Sequence, residues 1–232
     1  LTNGQDNGGA FIPKFSNSVR ANGRTYSIRE VGLRVVAGGD TTKFLNNVRC
    51  NAIHLDQNNQ VWIGTNNGLY RMKGNYLFEM SAEHNLFQFR INDIGQLADG
   101  TLLFATNGVG LLSWKDGKLT IVDKGLTSTI VKNIHIDEEQ TIWLGTPSGL
   151  NRLTKNKRTG YSILCLKDIH GLPSTEINEV TSVGSVMWLA TNSGLARFDK
   201  GKINLNRSPP RTTIDGISIN EKEQELQIKY DL

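Results

Sequence analysis

The chain has 232 residues, with 26 Lys and Arg against 22 Asp and Glu, a net charge of +4 and 38% hydrophobic residues. So small and scattered a charge excludes a dedicated polyanion-binding face, and no apolar run is long enough to cross a bilayer as a helix. The 24 glycines suit a turn-rich all-β chain, and the two cysteines, Cys50 and Cys165, share neither a repeat phase nor a metal-ligand spacing, so no disulfide and no metal are expected of them.

In chain order, residues 1–47 fit no repeat cleanly. They are read as a degenerate blade or blade remnant, with Thr2 ending a strand and residues 3–9 as an enlarged turn. The chain opens without Met or a signal peptide, as expected of a mature or excised piece of a longer protein. A phrase then recurs four times. It reads Trp62-Ile-Gly-Thr65-Asn-Asn-Gly68-Leu69, then Leu103-Phe-Ala-Thr106-Asn-Gly-Val-Gly110-Leu111. It returns as Trp143-Leu-Gly-Thr146-Pro-Ser-Gly149-Leu150 and as Trp188-Leu-Ala-Thr191-Asn-Ser-Gly194-Leu195. The threonines are 41, 40 and 45 residues apart, the spacing of four-stranded propeller blades. The fold class expected is therefore all-β, a β-propeller of four-stranded antiparallel blades, with blades at about 48–90, 91–131, 132–176 and 177–207.

The third repeat shows the grammar. Residues 134–137 alternate in polarity as a half-buried strand does, and residues 141–146 are nearly continuous in apolarity, as a doubly buried strand is. Pro147-Ser-Gly149 is a tight turn, followed by strands at 150–153 and 161–166. These are strands A to D of a meander. Gly68, Gly110, Gly149 and Gly194 close the B–C hairpin with left-handed backbone. Thr65, Thr106, Thr146 and Thr191 hold the turn through their hydroxyls. Trp62, Trp143 and Trp188 are expected between neighbouring sheets, with Leu103 as a smaller substitute. Gly64, Ala105, Gly145 and Ala190 let the next sheet approach. Beyond residue 203 the pattern changes. Ser208-Pro-Pro210 punctuates it, and residues 212–219 and 225–230 read as strands of a further unit, so 208–232 is a linker with the start of a truncated module.

The sequence D-x5-W-I-G-T-x-x-G-L-x-R, present as Asp56 to Arg71 with Asp137 to Arg152 as a close variant, resembles the two-component regulator propeller repeat. The segment from Asn206 to Asn220 is similar to the start of the immunoglobulin-like module that follows such propellers in bacterial sensor histidine kinases. The resemblance implies an extracytoplasmic sensory region, a membrane-anchored parent with a kinase domain, and a stimulus that is often a carbohydrate fragment. The second repeat departs from the pattern by lacking Trp and by its extra residue at Gly108-Val109, and the fourth lacks the acidic A–B turn residue. An intact propeller of this kind carries more blades, so the chain reads as its C-terminal part.

No catalytic residue emerges. His54 and His135 share one strand-A phase and read as structural, while His84 and His170 lie in connections without partners. Asp56-Gln-Asn-Asn lacks the acidic spacing of a calcium loop. Repeat geometry gathers the B–C turns and D–A connections at one end, whose amides and few charges suit a neutral hydroxylated ligand or a peptide surface. The candidate ligand-binding set is Arg49, Asn51, Asn66, Asn67, Arg90, Asn92, Asn107, Lys132, Ser148, Glu176, Asn178 and Asn192. No cofactor is expected. Expected partners are an oligosaccharide or other small ligand, neighbouring propeller or immunoglobulin-like domains of the same protein, and a second copy through unpaired edge strands; nucleic acid is not among them. The alternatives are an interaction scaffold without a small ligand and a propeller lyase or glycosidase.

Overall fold

The computed structural model describes residues 17–156 and 160–203, and the strands 217–219 and 222–224. Four meandering sheets have four antiparallel strands each. They comprise β1 (Ser18–Ala21), β2 (Arg24–Ile28), β3 (Leu33–Ala37) and β4 (Asp40–Phe44); then β5 (Cys50–Leu55), β6 (Val61–Thr65), β7 (Gly68–Lys73) and β8 (Tyr76–Glu79). Next come β9 (Ile91–Gln96), β10 (Leu102–Thr106), β11 (Leu111–Lys115) and β12 (Lys118–Val122), and β13 (Asn133–Ile136), β14 (Ile142–Thr146), β15 (Gly149–Asn156) and β16 (Gly160–Leu166). A three-stranded sheet, β17 (Ile177–Val183), β18 (Val186–Thr191) and β19 (Gly194–Asp199), follows. Strand β1 packs on β5, β5 on β9, β9 on β13 and β13 on β17. First strands thus meet first strands along the series, as propeller blades do, and the apolar core lies in layers between sheets.

Residues 18–44 form a whole sheet. Two of its three hairpins, β1–β2 and β3–β4, are two-residue turns, Asn22-Gly23 (φ 51° and 72°) and Gly38-Gly39 (φ 58° and 93°), the left-handed pairs that match strand twist. The strand end expected at Thr2 lies outside the described residues. From residue 203 onward the chain forms a separate unit, in which β20 (Ile217–Ile219) pairs with β21 (Lys222–Gln224). Ser208-Pro-Pro210 and residues 225–230 also lie outside the described residues.

The repeated phrase works as a set of locks. Each threonine hydroxyl donates to the carbonyl of the hairpin glycine, at 2.8 Å for Thr65, 2.7 Å for Thr106 and Thr146, and 2.8 Å for Thr191. Gly68 has φ 118°, and a Cβ there would stand 2.5 Å from the Phe87 carbonyl oxygen, so both backbone shape and space require glycine. A Cβ on Gly64 would stand 2.8 Å from Ile91 Cγ2, and one on Gly145 3.1 Å from Ile177 Cγ2; these are the close approaches of successive sheets.

The acidic turn residue does more than close its turn. Asp56 Oδ1 accepts from the backbone N–H groups of Asn58 and Gln60, both at 2.8 Å, while Oδ2 accepts from the buried indole N–H of Trp62 at 2.8 Å. Asp137 repeats this with Glu139, Thr141 and Trp143 at 3.1, 2.9 and 3.0 Å. The motif arginine lies over the same ring, Arg71 5.5 Å from Trp62 and Arg152 5.9 Å from Trp143. Where Leu103 replaces Trp, Leu97 stands in the Asp position and Ser113 in the Arg position, so the triad is exchanged as a unit. Trp188 corrects an expectation. It is half-exposed, because no described sheet packs beyond β17–β19, whereas Trp62 and Trp143 are buried.

Candidate functional site

The B–C turns lie beside the residues that precede each first strand. Asn66 N–H donates to the Arg49 carbonyl at 3.0 Å, Asn107 N–H to Arg90 at 3.0 Å and Asn192 N–H to Glu176 at 3.3 Å. Pro147 has no N–H to give, and Lys132 N–H donates to the Gly145 carbonyl instead, at 2.8 Å. Strands β5, β9 and β17 each carry a bulge at this end, and the residues skipped by the ladder are Asn51, Asn92 and Asn178. A bulge re-aims its side chain, and these amides turn toward neighbouring turns and sheets. Asn51 Nδ2 donates to Asn66 Oδ1 and to the Ile91 carbonyl, both at 3.0 Å. Asn92 Nδ2 donates to the Val131 carbonyl at 2.8 Å, and Asn178 Nδ2 to Asn192 Oδ1 at 2.8 Å. Lys132 Nζ reaches Glu176 Oε1 at 2.6 Å and Asn178 Oδ1 at 2.8 Å.

Asn51, Arg90, Asn92, Asn107, Ile130 and Lys132 line a recess of about 380 Å³. Its lining carries two cations, three amides and no carboxylate; Glu176 answers Lys132 from outside it. Of the twelve candidates the structure thus brings five together around the recess, with Asn66 bonded to one of them. Glu176, Asn178 and Asn192 form a second group around Lys132, in which Asn192 Nδ2 also donates to Glu176 Oε2. Arg49, Asn67 and Ser148 stand exposed and do not line the recess.

The repeat pattern did not mark a polar thread beneath this surface. The first-strand position paired with the small residue of each second strand is Ala52, Asp93, Asn133 and Glu179, and the buried Asn133 amide donates both to Asp93 Oδ2 at 3.1 Å and to Glu179 Oε1. Asn133 Oδ1 accepts from Val180 N–H at 3.1 Å, so three sheets are joined through one side chain. The available signal was polarity in three of four repeats on an otherwise half-buried strand.

His54 and His135 lie between sheets, whereas His84 and His170, expected to lack partners, accept from the backbone N–H groups of Leu86 and Lys167 at 3.2 and 3.0 Å. Burial pushes the His54 pKa below its usual 6.5, against the opposing pull of Gln96, as an acceptor for the imidazole, and of the charges of Asp56 and Asp93. His135 Nε2 shares a hydrogen bond with Ser182 Oγ at 2.7 Å. Among the described residues no three His, Cys, Asp or Glu side chains are placed to hold a metal, and no helix is long and apolar enough to cross a membrane. Cys50 and Cys165 are both free thiols.

Residues 44–67 match the two component regulator propeller family. The chain carries a two-component regulator propeller repeat. No curated protein matches its sequence. Among solved structures it is similar to the extracellular domain assigned to a hybrid two component system, BT3049 of B. thetaiotaomicron. That likeness has TM-score 0.64 and 20% identity, over 79% of this chain and 26% of that one. It is also similar to the extracellular domain of a B. thetaiotaomicron system, BT4673, with TM-score 0.62 and 17% identity over 83% and 28% of the two chains. The chain therefore spans about a quarter of the length of those domains. A catalytically inactive virginiamycin B lyase from Staphylococcus aureus shares the fold at TM-score 0.56 and 13% identity, over 81% and 72% of the two chains. At such identities the likeness establishes the β-propeller fold, which hosts sensors and enzymes alike.

Proposed function

We propose that this two-component regulator propeller region is the extracytoplasmic sensory part of a membrane-anchored histidine kinase, and that it takes a carbohydrate fragment at the recess between Asn51, Arg90, Asn92, Asn107 and Lys132. The observation that carries the reading is the recess itself. Amides from adjacent sheets converge there with two cations, and neutral amides that donate and accept in fixed directions suit hydroxyl groups. The repeat at residues 44–67 supports the sensory class. A ligand held by two sheets at once favours one relative orientation of those sheets, which is what a ligand must do to shift an equilibrium. The recess lining carries no carboxylate, which supports a binding role over a hydrolytic one. Thermal-shift screening of the chain against an oligosaccharide panel tests this. A stabilising sugar whose effect disappears in Arg90→Ala and Asn107→Ala supports the reading. Cleavage of that sugar would favour the lyase or glycosidase, and a panel without any shift would favour the scaffold.

A further inference from the structure

We propose that the space between the β9–β12 and β13–β16 sheets is a second binding site, one that takes a small aromatic anion. The cross-strand registers place His54, Trp62, Arg71 and Phe78 in one row across the β5–β8 sheet, and His135, Trp143, Arg152 and Leu164 in the equivalent row across β13–β16. Each row faces the following sheet: Trp62 meets Phe104 at 5.7 Å between ring centres, and Trp143 meets Phe198 at 6.2 Å. The same row across β9–β12 is Gly95, Leu103, Ser113 and Thr120. Three large side chains have been exchanged for small ones at a single interface.

The interface closes over the inner half of this row only. A Cβ on Gly95 would stand 3.1 Å from Ile136 and 3.3 Å from Ile134, so the next sheet has moved into the space there. Over the outer half a cleft of about 820 Å³ remains, with Ser113, Thr120 and Val122 on one wall and Tyr161 and Ile163 on the other. The hairpin that overhangs it is longer than its neighbour, eight and seven residues in β15 and β16 against five each in β11 and β12. Lys155, on that hairpin, bonds Asp99 of the β9–β12 sheet and holds the overhang in place.

The lining selects the ligand. Val122 and Ile163 offer aliphatic walls, the Tyr161 ring a flat face, and Ser113 and Thr120 hydroxyls. Burial pushes the Tyr161 phenol above its usual 10, so it stays neutral near pH 7, and a hydrogen bond with Ser113 ties it to the opposite wall. At the mouth Lys155 is answered by Asp99; Asp123 and Lys124 also line the cleft, and Lys124 makes no ion pair among the described residues. A flat apolar body with one anionic group matches these features, and the volume lies within the ordinary range of small-molecule sites, about 300–1,000 Å³.

Titration calorimetry of the whole chain with benzoate and 4-hydroxybenzoate tests the proposal, with cyclohexanecarboxylate and glucose as controls. The two aryl carboxylates should bind saturably and the controls at least about tenfold more weakly, a difference of about 1.4 kcal/mol. Ser113→Arg with Thr120→Phe returns the outer row to what the β5–β8 sheet carries, and should abolish aryl binding while Arg90→Ala leaves it unchanged. Thr120→Trp, at an exposed position, narrows the mouth and serves if the double variant does not fold. Absence of aryl binding, tighter binding of glucose, or aryl binding that survives a folded cleft-filling variant would each overturn the proposal.

Discussion

Replacing Asp56 and Trp62 together by leucine copies the arrangement that Leu97 and Leu103 already provide one repeat later. The single changes are costly for different reasons. Asp56→Leu removes three accepted hydrogen bonds, each 2.8 Å long, and strands an indole N–H on a ring that is 2% exposed. A buried donor without a partner costs about 1–3 kcal/mol, and the two turn amides add about 1 kcal/mol between them because water reaches them. Trp62→Leu shrinks a packed aromatic side chain, for about 2–4 kcal/mol by comparison with truncation to Ala, and takes from a 6%-exposed carboxylate one of its donors. In the double variant neither polar group remains unpaired. The backbone turn itself survives, since Leu97 closes the same turn through Leu97 N–H to Thr101 and Gly100 N–H to Leu97, both at 2.9 Å. The double variant should therefore be about 1–3 kcal/mol more stable than the sum of the singles predicts, the size of coupling found between residues in contact. Urea unfolding of all four proteins, followed by circular dichroism with slopes compared, measures this. Costs that add to within about 0.5 kcal/mol would refute the view that Asp56 is there for the indole.

Gly145→Ala should destabilise by about 1–3 kcal/mol, since its Cβ would press on Ile177 and Val180 at 3.1 and 3.3 Å; a neutral result in chemical denaturation would show that β17 can retreat. Lys200→Met should lower the melting temperature near neutral pH, because Lys200 Nζ bonds both Asp137 and Glu139 at 3.1 Å. Burial pushes the Asp137 pKa up but is outweighed by Trp143, Thr141 and Lys200, so it sits below 3.8; Lys200, opposed by burial and raised by Glu139 and Asp137, sits above 10.5. The deficit should thus be full between these values and shrink as pH falls through the Asp137 pKa or rises through that of Lys200; a deficit independent of pH would contradict the ion pair. His54 has a depressed folded pKa, so its stabilising contribution is complete above 6.5 and lost as pH falls below it. His54→Gln should flatten the stability profile below pH 6.5, and an unchanged slope would assign that dependence elsewhere.

The blades at residues 50–199 were legible because each repeat spends its invariant residues on local mechanics. Glycine, threonine and a small residue on strand B fix a hairpin and a close approach that need no knowledge of the rest. The β1–β4 sheet was not legible, because Arg24–Ile28 carries none of that phrase and its Asn-Gly and Gly-Gly turns shorten it below the repeat spacing. The end of the blades where polar groups gather could be read from repeat phase. Which residues turn into the recess could not, because bulges at Asn51 and Asn92 decide it, and a bulge is a property of two paired strands. The Asp93–Asn133–Glu179 thread and the half-exposure of Trp188 were hidden for a related reason: both depend on what the neighbouring sheet presents, or on whether one is there.

The asparagine contacts from Asn51 to the Ile91 carbonyl and from Asn92 to the Val131 carbonyl also set how the series comes apart. Each takes a donor from one sheet and an acceptor from the next, so a sheet is tied only to its immediate neighbours. Opening is then a nearest-neighbour process, like the unzipping of a linear array. A central sheet can open only by breaking two such boundaries, a terminal one by breaking one. Amide protons of β10 and β14 should exchange with solvent water last and those of β3 and β19 first, giving a gradient of protection along the chain in place of a single all-or-none value.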